Sequence, residues 1–102
     1  NIYPAEIEGA LAAHAAVDDV AVFGIPHPEM GEQVAAALVL RDGRAWDGQL
    51  EADVIAFCRE RLAGYKCPRH FDIVAELPRL ESGKLTKRLL RDPYWVGHDR
   101  SI

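Results

Sequence analysis

The sequence contains few of the residues that metal-binding and disulfide-linked proteins use. Its two cysteines, Cys58 and Cys67, are too few and too far apart for a zinc knuckle. Cys58 also falls on the apolar face of a predicted helix, where cysteine behaves as a small hydrophobic residue. The four histidines are spread through different predicted elements without the spacing of metal ligands. We therefore expect two free thiols and no metal site.

Long apolar runs and leader sequences are missing as well. No uninterrupted apolar run reaches roughly 18 residues, the length that a transmembrane helix needs. The first residues lack the basic-then-apolar order of a signal peptide. These two absences predict a cytoplasmic protein with no membrane span.

The chain has no excess of positive charge. Its formal net charge is −4, which argues against broad binding to nucleic acid. Basic residues are nevertheless concentrated between Lys84 and Arg91. No aromatic residues alternate with them, although proteins that bind single strands use such residues for base stacking. We therefore expect a local anion site and no nucleic-acid partner.

A phosphate-binding loop of the P-loop type is also absent around the Gly83–Lys84 pair. That loop requires glycine where Pro78 stands and serine or threonine where Leu85 stands. Lys84 therefore does not belong to a P-loop.

The sequence does contain the apolar pattern of a small folded domain. Apolar residues make up 49% of the 102 positions, which suffices for the core of one domain spanning residues 1–102. Apolar residues recur with helical spacing in residues 4–14 and 50–62, and residues 70–75 half-alternate like a strand. We predict an α+β fold in which helices pack on a small antiparallel three-stranded sheet, with a short extended segment at residues 1–3.

Prolines set two predicted boundaries. Residues 20–25 are apolar and are followed by Pro26, which predicts a central strand covered on both faces. The connection to the next apolar run, residues 33–40, is too short for a parallel crossover, so this pair is predicted to be antiparallel. Near the other end of the chain, residues 92–95 include Pro93 and are predicted to end regular structure.

The stretch of residues 77–91 contains the strongest candidate for a functional side chain. Gly83 predicts a turn, and Ser82 is a candidate N-cap that would place Lys84 in the first turn of a short amphipathic helix. A cation in that position opposes the helix dipole, which indicates that Lys84 holds an anion. The alternative is a solvated lysine paired with Glu81.

Four short motifs follow one another along the chain. In order they are NIYPAEIE at residues 1–8, VFGIPHP with the following GE at residues 22–32, YKCP at residues 65–68, and LP with SGK at residues 77–84. Together they resemble the small C-terminal domain of AMP-forming acyl-CoA synthetases, in the adenylate-forming family that includes luciferase and the peptide-synthetase adenylation domains. The tail LRDPYW, residues 90–95, is similar to the fatty-acyl and related CoA-ligase branch.

The resemblance implies roles for three residues. Lys84 matches the catalytic lysine that reaches into the large domain while a carboxylate attacks the α-phosphate of ATP. Gly83 lies in the loop that presents this lysine. Asn1, in the opening strand, is a weaker candidate for contact with nucleotide or pantetheine after the small domain has swung about its hinge.

The resemblance also implies partners. ATP and CoA are substrates of the intact ligase, Mg²⁺ is bound through its N-terminal ATP- and acyl-binding domain, and the acyl substrate is a carboxylic acid. The fragment alone is expected to be inactive, since it contains neither a phosphate loop nor an acyl pocket. Acetylation of Lys84 by a lysine acetyltransferase would abolish its charge. The alternative function is a stand-alone binding or regulatory module that holds a phosphorylated ligand.

Overall fold

The computed structural model describes residues 2–98. Its elements, in chain order, are α1 (Pro4–Ala12), β1 (Val17–His27), β2 (Gly31–Leu40), α2 (Gly48–Arg61), β3 (His70–Ile73) and α3 (Arg88–Trp95), with a short 3₁₀ turn at Gly64–Lys66 before β3. Tyr3 has an extended backbone and precedes Pro4 at the start of α1. The predicted α+β class is confirmed.

The sheet is mixed, with the strand order β1-β2-β3. β1 and β2 pair antiparallel as predicted, with Val22 opposite Ala36 and Phe23 opposite Ala35. The prediction that all three strands are antiparallel is wrong, because β3 runs parallel to β2. A parallel strand needs a crossover connection, and α2 lies in the chain between β2 and β3 and supplies it.

β1 is an edge strand and not the predicted central strand. It continues through Pro26 to His27, because an edge strand tolerates a residue that has no N–H. The turn into β2 is therefore shorter than predicted. His27 Nδ1 closes it by accepting hydrogen bonds from the backbone N–H groups of Glu29 at 3.1 Å and Met30 at 3.0 Å.

The outer edge of β1 is covered by side chains. Glu8 on α1 accepts a hydrogen bond from the Val22 N–H at 2.8 Å. The indole of Trp95 on α3 donates to the Gly24 carbonyl at 3.0 Å. Backbone groups that no strand pairs are thus satisfied by residues from two helices.

The two faces of the sheet bury two separate cores. On one face, α1 and α2 pack over Val20, Val22, Ala36 and Leu38, and the helices contribute fully buried side chains such as Leu11 and Val54. On the other face, the core consists of Ala21, Phe23, Ile25, Ala35, Ala37 and Leu77, and Leu85, Leu90 and Tyr94 pack against it. The alternation of strand residues between two covered faces explains the continuous apolar runs.

α2 follows the predicted helix closely and begins with a side-chain cap. Asp47 Oδ1 accepts a hydrogen bond from the Leu50 N–H at 2.8 Å, which satisfies one of the free donors of the first turn. His14, two residues after the end of α1, contacts α2, since its Nε2 lies 2.6 Å from Asp53 Oδ2. His14 Nδ1 accepts from the Ala16 N–H at 3.0 Å, so the proton of the neutral ring is on Nε2.

α3 continues past Pro93, so the prediction that residues 92–95 end regular structure is wrong. Pro93 lies near the end of this short helix, where its missing N–H removes a single bond of the helical series. Tyr94 holds the helix in place, since its hydroxyl donates to Asp72 Oδ2 on β3 at 2.5 Å. In the part of the chain that the structure describes, no helix combines the length and apolar character needed to cross a membrane.

Candidate functional site

Lys84 lies in a small β-hairpin, residues 78–86, which we call the Lys84 hairpin. Arg79 and Leu85 form an antiparallel bridge, and the Leu80 N–H donates to the Lys84 carbonyl at 2.9 Å. The turn closes with a bond from the Gly83 N–H to the Leu80 carbonyl at 2.8 Å. Gly83 has a φ of 90°, a left-handed conformation that favours glycine.

The predicted helix with Ser82 as its N-cap is therefore wrong. α3 begins at Arg88, and Lys84 lies before it in the hairpin. The hairpin uses the backbone groups that a helix would have needed, as the bond from the Thr86 N–H to the Pro78 carbonyl shows. The argument from the helix dipole consequently does not apply to Lys84.

Lys84 is exposed and differs from the other lysines of the chain in its charge environment. Lys66 Nζ lies 2.9 Å from Glu6 Oε1, and Lys87 Nζ lies 2.7 Å from Glu8 Oε2. The hydrogen bond to Glu6 raises the pKa of Lys66. Within residues 2–98, Lys84 forms no ion pair, and the alternative pairing with Glu81 does not occur. Its ammonium group is therefore available to an anion from outside this domain.

The Lys84 hairpin is attached to the sheet by apolar and ionic contacts. Leu77 is buried at its base, and Leu85 packs against the same core. Arg79 Nη2 donates to Asp19 Oδ2 on β1 at 2.9 Å, and Arg79 Nη1 donates to the Gly83 carbonyl at 2.9 Å. Sequence reasoning missed this contact because Asp19 and Arg79 are 60 positions apart.

The other candidate residues have different outcomes. Gly83 directly precedes Lys84 at the turn, as the sequence suggested, and its role in presenting Lys84 stays a prediction. Asn1 lies outside the described residues.

The two cysteines are free and buried, as predicted, and burial raises the pKa of the Cys58 thiol to about 11. Among residues 2–98, no three His, Cys, Asp or Glu side chains form a group that could hold a metal ion.

Residues 6–84 match the family described as the AMP-binding enzyme C-terminal domain. The chain belongs to this family. The match runs from Glu6 to Lys84, so the whole sheet, most of α1, all of α2 and the Lys84 hairpin up to its turn fall inside the AMP-binding C-terminal domain.

Curated relatives of this AMP-binding C-terminal domain are CoA ligases. A 3-[(3aS,4S,7aS)-7a-methyl-1,5-dioxo-octahydro-1H-inden-4-yl]propanoyl:CoA ligase of Rhodococcus jostii is 47% identical over 92 residues, which cover 90% of this chain and 17% of the relative. A long-chain-fatty-acid–CoA ligase of Bacillus subtilis is 39% identical over 98 residues, covering 96% of this chain and 17% of the relative. The chain thus spans about a sixth of the length of these relatives.

A solved structure shares the fold of the AMP-binding C-terminal domain. An acyl-CoA synthetase of Brucella canis superposes with a TM-score of 0.87 at 34% identity, over 94% of this chain and 18% of that chain. In sequence and in fold, the chain is therefore similar to one small part of acyl-CoA synthetases.

Proposed function

We propose that residues 1–102 form the mobile C-terminal domain of an AMP-forming acid–CoA ligase and supply the lysine for adenylation. The observation that carries the proposal is the exposed, unpaired Lys84 at the turn of a hairpin that is itself fixed to the sheet. The relatives named above are CoA ligases, which favours this function over a stand-alone module that holds a phosphorylated ligand.

The proposed reaction has two steps, and Lys84 acts in the first. A carboxylate oxygen attacks the α-phosphorus of ATP, the bond to pyrophosphate breaks, and an acyl-adenylate forms. Negative charge gathers on the phosphoryl oxygens during this attack. An ammonium group placed between carboxylate and phosphate stabilises that charge and aligns the two reactants. In the second step the CoA thiol replaces AMP, and acyl-CoA leaves.

The other components are assigned to the N-terminal domain. It would bind ATP and the carboxylic acid, and the AMP-binding C-terminal domain would close on it to deliver Lys84. We assign Mg²⁺ to that domain too, as the resemblance to acyl-CoA synthetases implies. CoA as second substrate, and a cytoplasmic location, stay predictions from the sequence.

The test is a Lys84→Ala variant of the full-length protein, with adenylation followed by carboxylate-dependent exchange of pyrophosphate into ATP. Loss of one preorganised electrostatic contact costs a factor of roughly 10²–10³ in rate, so we expect a decrease of that size. Transfer of a supplied acyl-adenylate to CoA should continue at the parent rate. Lys87→Ala is the matched control, since Lys87 is paired with Glu8. Equal adenylation rates in the Lys84 variant and the parent protein would refute the proposal.

Acetylation of Lys84 is a separate proposal with its own test. An acetyltransferase needs an accessible ammonium group, and Lys84 is exposed whereas Lys66 and Lys87 are engaged by glutamates. After incubation with an acetyltransferase and an acetyl donor, peptide mass spectrometry should find acetylation first at Lys84. Modification of Lys66 and Lys87 with an unmodified Lys84 would contradict it.

A further inference from the structure

The guanidinium group of Arg79 connects the turn of the Lys84 hairpin to the edge strand β1. Its Nη1 donates to the carbonyl of Gly83 at 2.9 Å. Its Nη2 donates to both carboxylate oxygens of Asp19, at 2.9 Å and 3.2 Å. One side chain thus links the peptide group immediately before Lys84 to a residue of the sheet.

Asp19 is itself held in a fixed orientation. The pairing of β1 with β2 shifts register between Val17 and Asp19, and such an irregularity changes the direction in which a side chain points. Asp19 Oδ1 also accepts a hydrogen bond from the Val20 N–H at 2.9 Å. The carboxylate therefore reaches Arg79 from a strand that is anchored in both cores.

The bond to Gly83 acts on the backbone of Lys84 directly. The Gly83 carbonyl and the Lys84 N–H belong to the same peptide plane, so fixing the oxygen fixes the orientation of that plane. Gly83 has no side chain and a positive φ, and glycine is the residue with the greatest backbone freedom. The Arg79 bond therefore restricts the orientation of the peptide plane that precedes Lys84.

The exposure of the ion pair argues against a mainly stabilising role. The side chains of Arg79 and Asp19 are 42% and 36% exposed, and ion pairs at this exposure contribute little to global stability. Ordering of the turn at Gly83 is a different effect. It changes the fraction of molecules in which the ammonium group of Lys84 has the orientation that adenylation needs. We propose that Arg79, oriented by Asp19, is a positioning residue for adenylation that acts through Lys84. This inference rests on the proposed function.

The experiment measures both half-reactions in the full-length protein with Arg79→Gln, Asp19→Asn and Lys84→Gln. We expect Arg79→Gln to lower the kcat of adenylation roughly tenfold, with the KM values for ATP and carboxylate unchanged. Asp19→Asn should cause a smaller decrease of the same kind. Thioester formation from supplied acyl-adenylate should keep the parent rate in both variants.

Two comparisons separate positioning from a general structural effect. In the Lys84→Gln background, Arg79→Gln should have no further effect on adenylation, because Arg79 acts only through that lysine. Arg41→Gln is the matched control, since Arg41 pairs with Asp18 on β1 at 3.4 Å, whereas Arg79 pairs with the neighbouring Asp19. It should leave both half-reactions unchanged.

The outcomes distinguish the two proposals. If Lys84→Gln leaves adenylation unchanged, the proposed function is wrong. If Lys84→Gln slows adenylation but Asp19→Asn and Arg79→Gln do not, only the role of Arg79 is wrong. Equal slowing of both half-reactions, or a further loss on top of Lys84→Gln, would also overturn that role. If Arg79→Gln fails to fold, Asp19→Asn decides, because it keeps the guanidinium group and removes only its support.

Discussion

The two faces of the sheet are built in different ways. Under α1 and α2 the core is made of side chains such as Leu11, Leu38 and Val54, all with no exposed surface. The opposite face is covered by α3, which has no buried residue, and by the Lys84 hairpin. Polar contacts complete it, among them the ion pair of Arg79 with Asp19. Both faces bury apolar strand residues, but on the second face polar contacts share in attaching the covering elements to the sheet.

The largest effect is expected for Leu11→Ala, on the face covered by α1 and α2. Removing a fully buried leucine leaves a cavity and costs about 2–5 kcal/mol in the free energy of unfolding. Denaturant unfolding of the domain measures it. Leu89→Ala on α3 is the matched control, because Leu89 is 55% exposed and its loss should cost less than about 0.5 kcal/mol. Equal losses at both positions would break the comparison between the faces.

A medium effect is expected for Tyr94→Phe, which tests the polar attachment of α3. The variant keeps the ring against Phe23 and loses the bond to Asp72, at a cost of about 1–2 kcal/mol. Tyr65→Phe is the control, since Tyr65 is 63% exposed and should be neutral. A neutral Tyr94→Phe would mean that the bond to Asp72 does not help to hold α3.

The same tyrosine gives a pH dependence with a defined sign. Burial, together with the hydrogen bond to Asp72 and its charge, raises the pKa of Tyr94 from 10.0 to about 12. The folded state therefore holds the phenolic proton more tightly than the unfolded state does. This contribution to stability is complete below pH 10 and is lost as the pH rises through about 12. Unfolding measured from pH 9 to 12 should show the loss, and Tyr94→Phe should reduce it.

The last prediction concerns the reactivity of thiols on the two faces and not the free energy of unfolding. Burial raises the pKa of Cys58 to about 11, so at pH 7.5 its thiolate is scarce as well as covered. In a Cys67→Ala background, a thiol reagent should label Cys58 roughly a hundredfold more slowly than it labels Ser82→Cys in the exposed turn. Denaturant should abolish the difference. Rapid labelling of Cys58 in the native domain would show that the helices open easily.

The sequence predicted those features that depend on neighbouring residues. The helical spacing around Val54 located α2, and the short connection between the apolar runs gave the antiparallel pairing of β1 with β2. The direction of β3 was missed because it depends on where a crossover helix returns the chain. For the segment around Lys84, the spacing of the apolar residues predicted a helix. The chain instead turns at Gly83 and forms a hairpin in which Arg79 pairs with Leu85.

Contacts between distant positions could not be predicted from local patterns. The ion pairs of Arg79 with Asp19 and of Lys87 with Glu8 form only after α1, β1 and the Lys84 hairpin have assembled. In the sequence these are ordinary charged residues.

The covered outer edge of β1 has a consequence for behaviour in concentrated solution. An exposed strand edge recruits strands from other molecules and starts aggregation. Here the carboxylate of Glu8 and the indole of Trp95 occupy backbone groups that an incoming strand would need, and Pro26 offers no donor at all. Removing the Glu8 carboxylate would therefore free the Val22 N–H and favour the association of separate molecules through β1.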